Sequence, residues 1–200
     1  MRILIVGLGV IGTTYGYLFQ KAGHLVEHLV REERLKGLPG RLTVELLDGR
    51  ANPKGERITD TYTVQPARGG AYDWILVSVA AGKLEGALDS LSAKGITGAL
   101  LLFCGLWQTR AALEETLGDW PYVLGYPVAG GSLRGDALDC VVFDHVMLEL
   151  EEKADVPDYA ALRRLLSDAG LKAEEPFDML EWIWLHMAVN AGVITTAAKY

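Results

Sequence analysis

An apolar run, Ile3-Leu4-Ile5-Val6, leads straight into the glycine spacing Gly7-x-Gly9-x-x-Gly12, and a helix-like segment follows. No other feature of the chain restricts its fold so tightly. A short run of β-branched and aliphatic residues from Arg2 to Val6 reads as a strand buried on both faces. Val10 to Ala22 reads as a helix, closed by Gly23. In a strand-turn-helix unit the three glycines have separate duties. Gly7 makes the tight turn, Gly9 lets a ligand approach the backbone, and Gly12 lets the helix pack closely on the strand. Gly16, one helical turn beyond Gly12, extends that close contact. The amides at the helix start, at Val10 and Ile11, then present the positive end of a helix dipole, which suits a pyrophosphate. The bland alternative is a structural glycine turn with no ligand, and the strand before it and the helix after it weigh against that.

The strand and helix rhythm continues along the chain. His24 to Val30 reads as a second strand, and Trp74 to Val79 as a buried third, followed by a helix from about Lys83 to Leu91. Ala99 to Phe103 is the next strand, then a helix from about Arg110 to Leu117, and Tyr122-Val123-Leu124 starts another strand. Val141 to Leu150 is strand-like, and a helix from about Asp158 to Ala169 precedes Gly170. Between Arg34 and Val64 the chain is polar and glycine-rich, with brief alternation such as Leu42-Thr43-Val44-Glu45-Leu46. It reads as an irregular excursion or small hairpins. The final pattern, from about Asp178 to Lys199, is helical and apolar on most sides, so it needs cover on nearly every face. Alternating strands and helices imply an α/β fold, a doubly wound and mainly parallel Rossmann sheet with its ligand at the carboxyl ends of the strands.

Arg31 stands just past the second strand, where an NAD site usually carries an acidic ribose ligand. An arginine there can instead pair with the 2′-phosphate of NADP. Arg34 and Lys36 add positive charge, while Glu32 and Glu33 keep open an acidic ligand slightly out of register. A solvated charged loop is the plain alternative. The formal net charge of −7 argues against a nucleic-acid surface. It leaves room for a local phosphate site built from a few donors. Cys104 and Cys140 lack metal-ligand spacing and read as buried thiols in a reducing compartment. The glycines interrupt the N-terminal apolar run and no usual cleavage site follows, so a signal peptide is not expected. No segment reads as a membrane span. A cytoplasmic protein is the expectation.

The opening ILIVGLGVIGTTYGYLFQKAGHLVEHLVR resembles the start of the ketopantoate reductase family. YDWILVSVAAGKLEGAL resembles that family's third-strand region, LLLFCGL the strand that ends in an Asn-Gly pair, and WLHMAVNAGVITT the tryptophan-and-asparagine helix that opens its substrate domain. The resemblance implies NADP-dependent reduction of a small keto acid and a homodimer. It implies a Rossmann domain over residues 1–176, then the first helix of a helical substrate domain at 177–200. Family members continue for about a hundred more residues, an ordinary domain size. The resemblance also brings Ala80 and Cys104 to cofactor-facing positions. Ala80 stands where the family has lysine, and Cys104 where it has the asparagine before glycine. His186 falls on the position of the catalytic lysine, and Asn190 keeps the family asparagine.

Reducing a 2-keto acid requires a hydride donor and a proton donor for the developing alkoxide. His186 and Asn190 lie at i and i+4, on one helix face. That places His186 to donate the proton and Asn190 to hold the substrate. A packing histidine on an apolar helix is the competing reading. Asp144 and His145 are neighbours in the strand-like stretch from Val141 to Leu150, expected on opposite faces and so not a dyad. Trp182 and Trp184 read as core or interface aromatics. A 3-hydroxyacid dehydrogenase shares the GLGxxG opening, but WLHMAVNAG argues against it. A cofactor-binding protein without catalysis remains the alternative of a different class, favoured by the changes at Ala80, Cys104 and His186.

Overall fold

A computed structural model of the chain describes residues 1–80 and 82–197. Strand β1 (Arg2–Val6), helix α1 (Val10–Lys21) and strand β2 (Leu25–Leu29) form the parallel unit that the glycine spacing predicts. A single helical turn, α2 (Glu32–Leu35), leads to a hairpin of β3 (Arg41–Asp48) and β4 (Glu56–Thr63). The rhythm resumes with β5 (Ala71–Val77), α3 (Leu84–Ala93), β6 (Thr97–Leu102), α4 (Arg110–Leu117) and β7 (Tyr122–Tyr126). A second hairpin, β8 (Ala129–Arg134) and β9 (Ala137–Val142), precedes β10 (His145–Leu148), α5 (Tyr159–Asp168), β11 (Lys172–Glu174) and the final helix α6 (Met179–Ala197).

The main sheet has the order β11-β10-β7-β6-β5-β1-β2. It is parallel from β2 through β7, and β10 joins β7 antiparallel. The chain leaves β1 for β2 on one side and returns to β5 on the other, so the reversal of strand order falls at β1. That reversal opens a crevice at the carboxyl ends of the strands. Side chains of β1 alternate between two cores, as strand geometry requires. Ile3 and Ile5 pack with α1, α5 and the second sheet, and Leu4 and Val6 pack with α3, α4 and α6.

Of the two readings of the excursion from Arg34 to Val64, the hairpin is the one the structure takes. Residues 41–63 are a hairpin in continuous register from Arg41 opposite Thr63 to Asp48 opposite Glu56. With β8 and β9 it builds a second sheet of order β4-β3-β9-β8. Leu42, Val44 and Leu46 are buried while Thr43 and Glu45 face solvent, so the short alternation is a true strand signal. Its partner β9 lies far along the chain and was not legible beside it. The strand-like stretch from Val141 to Leu150 is two strands. The chain leaves the second sheet at Val142 and enters the main sheet at His145. Strand β8 was not expected, because Gly130 and Gly131 interrupt any apolar pattern. Gly131 passes so close to β9 that a side chain there would run into the Asp139 carbonyl.

The second sheet lies over α1, whose residues Gly12 to Phe19 are all buried. Helix α6 buries Met179, Leu180 and Ile183 against the core that holds Leu4, Val77 and Leu102. Its cover is one-sided. Leu185, Val189 and Val193, spaced one turn apart, are 67%, 55% and 62% exposed. The expected helix end at Lys199 lies outside the described residues.

Candidate functional site

The turn after β1 is built from three different physical requirements. Gly7 has φ of +91°, a region that side chains rarely adopt. Its N–H donates to the Leu29 carbonyl at 2.7 Å, and its carbonyl accepts from His28 Nδ1 at 2.8 Å. Gly9 is the N-cap of α1, with nothing within 4 Å of where a Cβ would sit. At Gly12 a Cβ would lie 2.7 Å from Ile5 Cγ2, and at Gly16 one would lie 2.6 Å from the Tyr62 hydroxyl. Conformation, access and packing are thus assigned to separate glycines. The first turn of α1, which includes Val10 and Ile11, has no acidic residue. Its unpaired amides therefore face the crevice uncompensated. These features fit a bound pyrophosphate.

Beside the turn lies a groove of about 760 Å³. Gly7 and Leu8 form one wall, Arg31 and Glu32 the end beyond β2, and Lys83 and Ala87 the α3 side. Four cationic side chains line it, Arg31, Arg34, Lys83 and Lys94, against the two anions Glu32 and Glu33. Lys94 Nζ stands 3.7 Å from Glu32 Oε1, so Glu32 is already engaged. Arg31 and Arg34 make no ion pair among the described residues. In a chain of net charge −7 this is a local positive surplus. Ala80 is exposed in the turn before α3, where its carbonyl accepts from the Lys83 amide at 3.1 Å. Cys104 is buried, and its Sγ lies 3.2 Å from the Val77 carbonyl. Burial pushes its thiol up to about 11. The residue as a whole is buried in the core and is not among those that line the groove.

Helix α6 crosses near the carboxyl ends of β6 and β7. The loop after β6 passes so close that a Cβ on Gly105 would lie 2.9 Å from Met187 Cε. Trp182 stacks on His186 with ring centroids 4.7 Å apart and planes 14° from parallel. Tyr126, the last residue of β7, lies 4.6 Å from His186 and 5.2 Å from Trp182. Asn190 Nδ2 donates to the Tyr126 hydroxyl at 3.4 Å. The structure therefore brings His186 and Asn190 to one face and adds Tyr126, which the sequence reading missed. Its one signal in the sequence is its place at the far end of the strand that Tyr122-Val123-Leu124 starts. Burial lowers the pKa of His186 and raises that of Tyr126. Burial thus disfavours the imidazolium and the phenolate.

A family model described as Ketopantoate reductase PanE/ApbA matches residues 3–114. The chain belongs to the ketopantoate reductase family. Solved structures share the fold. D-Mandelate dehydrogenase with NADH and anilino(oxo)acetate superposes with a TM-score of 0.69 at 18% identity, over 95% of this chain and 61% of that one. The 2-dehydropantoate 2-reductase from Geobacter metallireducens gives 0.66 at 20% identity, over 88% and 58%. The dimeric ketopantoate reductase from Staphylococcus aureus gives 0.67 at 15%, over 95% and 60%. The chain thus spans about 60% of the length of these structures. A comparison with curated protein sequences returned no match.

One polar pair in this family member departs from the expectation of opposite faces. Asp144 precedes β10 instead of lying in a strand, so its carboxylate reaches His145 Nδ1 at 3.1 Å and Lys172 Nζ at 2.9 Å. These groups form a surface ion cluster remote from the groove-lining residues. No group of three or more metal-ligating side chains occurs among the described residues.

Proposed function

We propose that this chain is the cofactor-binding part of an NADPH-dependent reductase of a small 2-keto acid or related carbonyl compound. The observation that carries the reading is the cation-rich groove beside the glycine turn. Gly7, Gly9 and Gly12 with the Val10 and Ile11 amides would hold the pyrophosphate, and Arg31 would pair with the 2′-phosphate. A bound nicotinamide would supply the hydride. His186 would donate a proton to the carbonyl oxygen, and Asn190 would hold the substrate from the next helical turn. The exposed Ala80 would border the cofactor, and the buried Cys104 would support that site from the core side. Residues 1–176 form the cofactor domain on this reading, and 177–200 begin a helical domain for substrate binding and dimerisation. The exposed Leu185, Val189 and Val193 stripe supports a homodimer. No helix among the described residues is long and apolar enough to cross a membrane. Two free, buried thiols suit a reducing cytoplasm.

A second reading is a protein that binds NADP without catalysis. The buried thiol at Cys104 and the stacked imidazole of His186 favour it, because neither is the lysine or amide that the family resemblance places there. Titration with NADPH and NADH tests the cofactor assignment. NADPH should bind more tightly, and Arg31→Ala should erase most of the difference, about tenfold or more for a charge-assisted contact. Equal affinity for both cofactors in the wild type would transfer the ribose contact to Glu32 or Glu33. NADPH consumption across a panel of 2-keto acids then separates the two readings, since binding without turnover supports the second.

A further inference from the structure

His28 is the one fully buried histidine of β2, and both of its ring nitrogens are engaged. Nδ1 lies 2.8 Å from the Gly7 carbonyl and Nε2 lies 2.7 Å from the Tyr62 hydroxyl. The two partners dictate one tautomer. A carbonyl only accepts, so Nδ1 carries the proton. Nε2 is then the acceptor, and the phenol donates to it. Burial holds the imidazole neutral, down to about 4, and keeps the phenol protonated. The main chain fixes the ring as well. The His28 N–H donates to the Gln65 carbonyl at 2.7 Å, and the His28 carbonyl accepts from the Ala67 amide at 2.9 Å. Tyr62 comes from β4 of the second sheet, and its hydroxyl occupies space that a side chain on Gly16 would fill.

The carbonyl held by His28 belongs to the same planar peptide as the Leu8 amide. In a trans peptide the C=O and the following N–H point in opposite directions. Tying the Gly7 oxygen inward therefore turns the Leu8 N–H outward, on the side where Leu8 lines the groove. That amide has no protein acceptor among the described residues. We infer that His28 is a positioning residue for cofactor binding, set by Tyr62, which locks the Gly7–Leu8 peptide so that the Leu8 amide is presented to the dinucleotide's phosphates. This inference rests on the dinucleotide reading of the groove. It gives the second sheet a part in cofactor affinity without any contact to the cofactor.

The experiment compares NADPH with adenosine 2′-monophosphate, a fragment that lacks the pyrophosphate, by calorimetric titration of the full chain. His28→Leu should weaken NADPH about tenfold or more and leave the fragment within twofold. His28→Asn, which restores a donor near the Nδ1 position, should recover most of the loss. Tyr62→Phe, which keeps the ring and removes only the hydroxyl, should weaken NADPH selectively as well. Nitrogen-15 NMR of the wild type should show a neutral His28 with the proton on Nδ1, and this readout holds even where His28→Leu fails to fold. A proton on Nε2, or variants that retain wild-type NADPH affinity, would overturn the positioning role. So would an equal loss for NADPH and the fragment. If the wild type binds neither NADPH nor NADH, the dinucleotide reading itself fails and this inference fails with it.

Discussion

Replacing Gly12 and Gly9 by alanine should separate packing from access within one motif. At Gly12 the new methyl would sit 2.7 Å from Ile5 Cγ2, and Ile5 is fully buried at the centre of β1. Carbon atoms in contact prefer about 3.5–4.0 Å, so either the helix or the strand must yield by about 1 Å. Neither has slack, because Ile5 is flanked by β2 and β5 and the outer side of α1 lies under the second sheet. Overpacking of this kind costs about 1–3 kcal/mol. Alanine returns about 0.5–1 kcal/mol through its better helix propensity. The net loss is about 1–2 kcal/mol, or roughly 2–8 °C in Tm for a chain of this size. At Gly9 nothing lies within 4 Å of the new methyl, so stability should change by less than about 0.5 kcal/mol. The same methyl enters the space a dinucleotide needs, and cofactor affinity should fall at least about tenfold. Thermal unfolding by circular dichroism and NADPH titration of both variants provide the test. If Gly9→Ala melts as early as Gly12→Ala, or binds NADPH like the wild type, the division of duties is wrong.

Acid should destabilise the fold through His28. Its folded pKa is lowered to about 4 from 6.5, so between those values the unfolded chain takes up a proton that the folded chain refuses. The contribution is complete above pH 6.5 and is lost as pH falls towards 4, by up to about 3 kcal/mol; denaturant unfolding across this range should flatten in His28→Asn, and an unchanged slope would exclude His28 as the source. The exposed stripe of α6 predicts self-association at high micromolar concentration, and Leu185→Glu should shift the protein to monomer in light scattering. A monomeric wild type would refute it. If the chain reduces a keto acid with His186 as proton donor, His186→Ala should cost about 100-fold in turnover. Burial lowers the His186 pKa, so reduction should decline as pH rises through a value below 6.5, and His186→Lys should extend it upward.

The parts of the fold legible in the sequence are those stabilised by neighbours along the chain. The β1-α1-β2 unit announces itself by glycine spacing and by strands buried on both faces. Helix α4 begins and ends where the pattern places it, and α5 does so to within a residue. What was not legible depends on distant pairing. The Leu42-Val44-Leu46 alternation acquires meaning only when β9 lies beside it, from Ala137 to Val142. Phe143 and Asp144 look like a minor irregularity in one strand, yet the chain changes sheets there. The candidate site divides along the same line. Gly7, Gly9, Gly12 and Arg31 stand in local patterns, whereas His186 and Asn190 are singled out by the family resemblance, and helical spacing adds only that they share a face. Tyr126 reaches them only because β7 ends under α6. His28 was hidden for a different reason. A single polar residue in an apolar strand gives no periodic signal, and its partners Gly7 and Tyr62 come from two other parts of the chain.

The second sheet explains why α1 is composed as it is. A helix on the outside of one open sheet has a solvent face and tolerates charge there. Here β8, β9 and β4 cover that face, so Thr13, Thr14, Tyr15 and Tyr17 are buried together with the residues that face β1. Their polar atoms are mostly satisfied locally. Thr14 Oγ1 donates to the Val10 carbonyl at 2.8 Å, and the Tyr17 hydroxyl donates to Asp60 at 3.0 Å. Asp60 also pairs with Lys21 at 2.9 Å, which ties the last turn of α1 to β4. A helix gripped on both faces cannot rotate or slide, and its N-terminal amides are fixed in direction. The Tyr62–His28–Gly7 chain fixes the turn that precedes them. One hairpin therefore constrains the groove-facing backbone twice, through the packing of α1 and through the carbonyl of Gly7. That supplies a physical reason for the 23-residue hairpin from Arg41 to Thr63 to be ordered, which an open loop of that length in a compact domain rarely is.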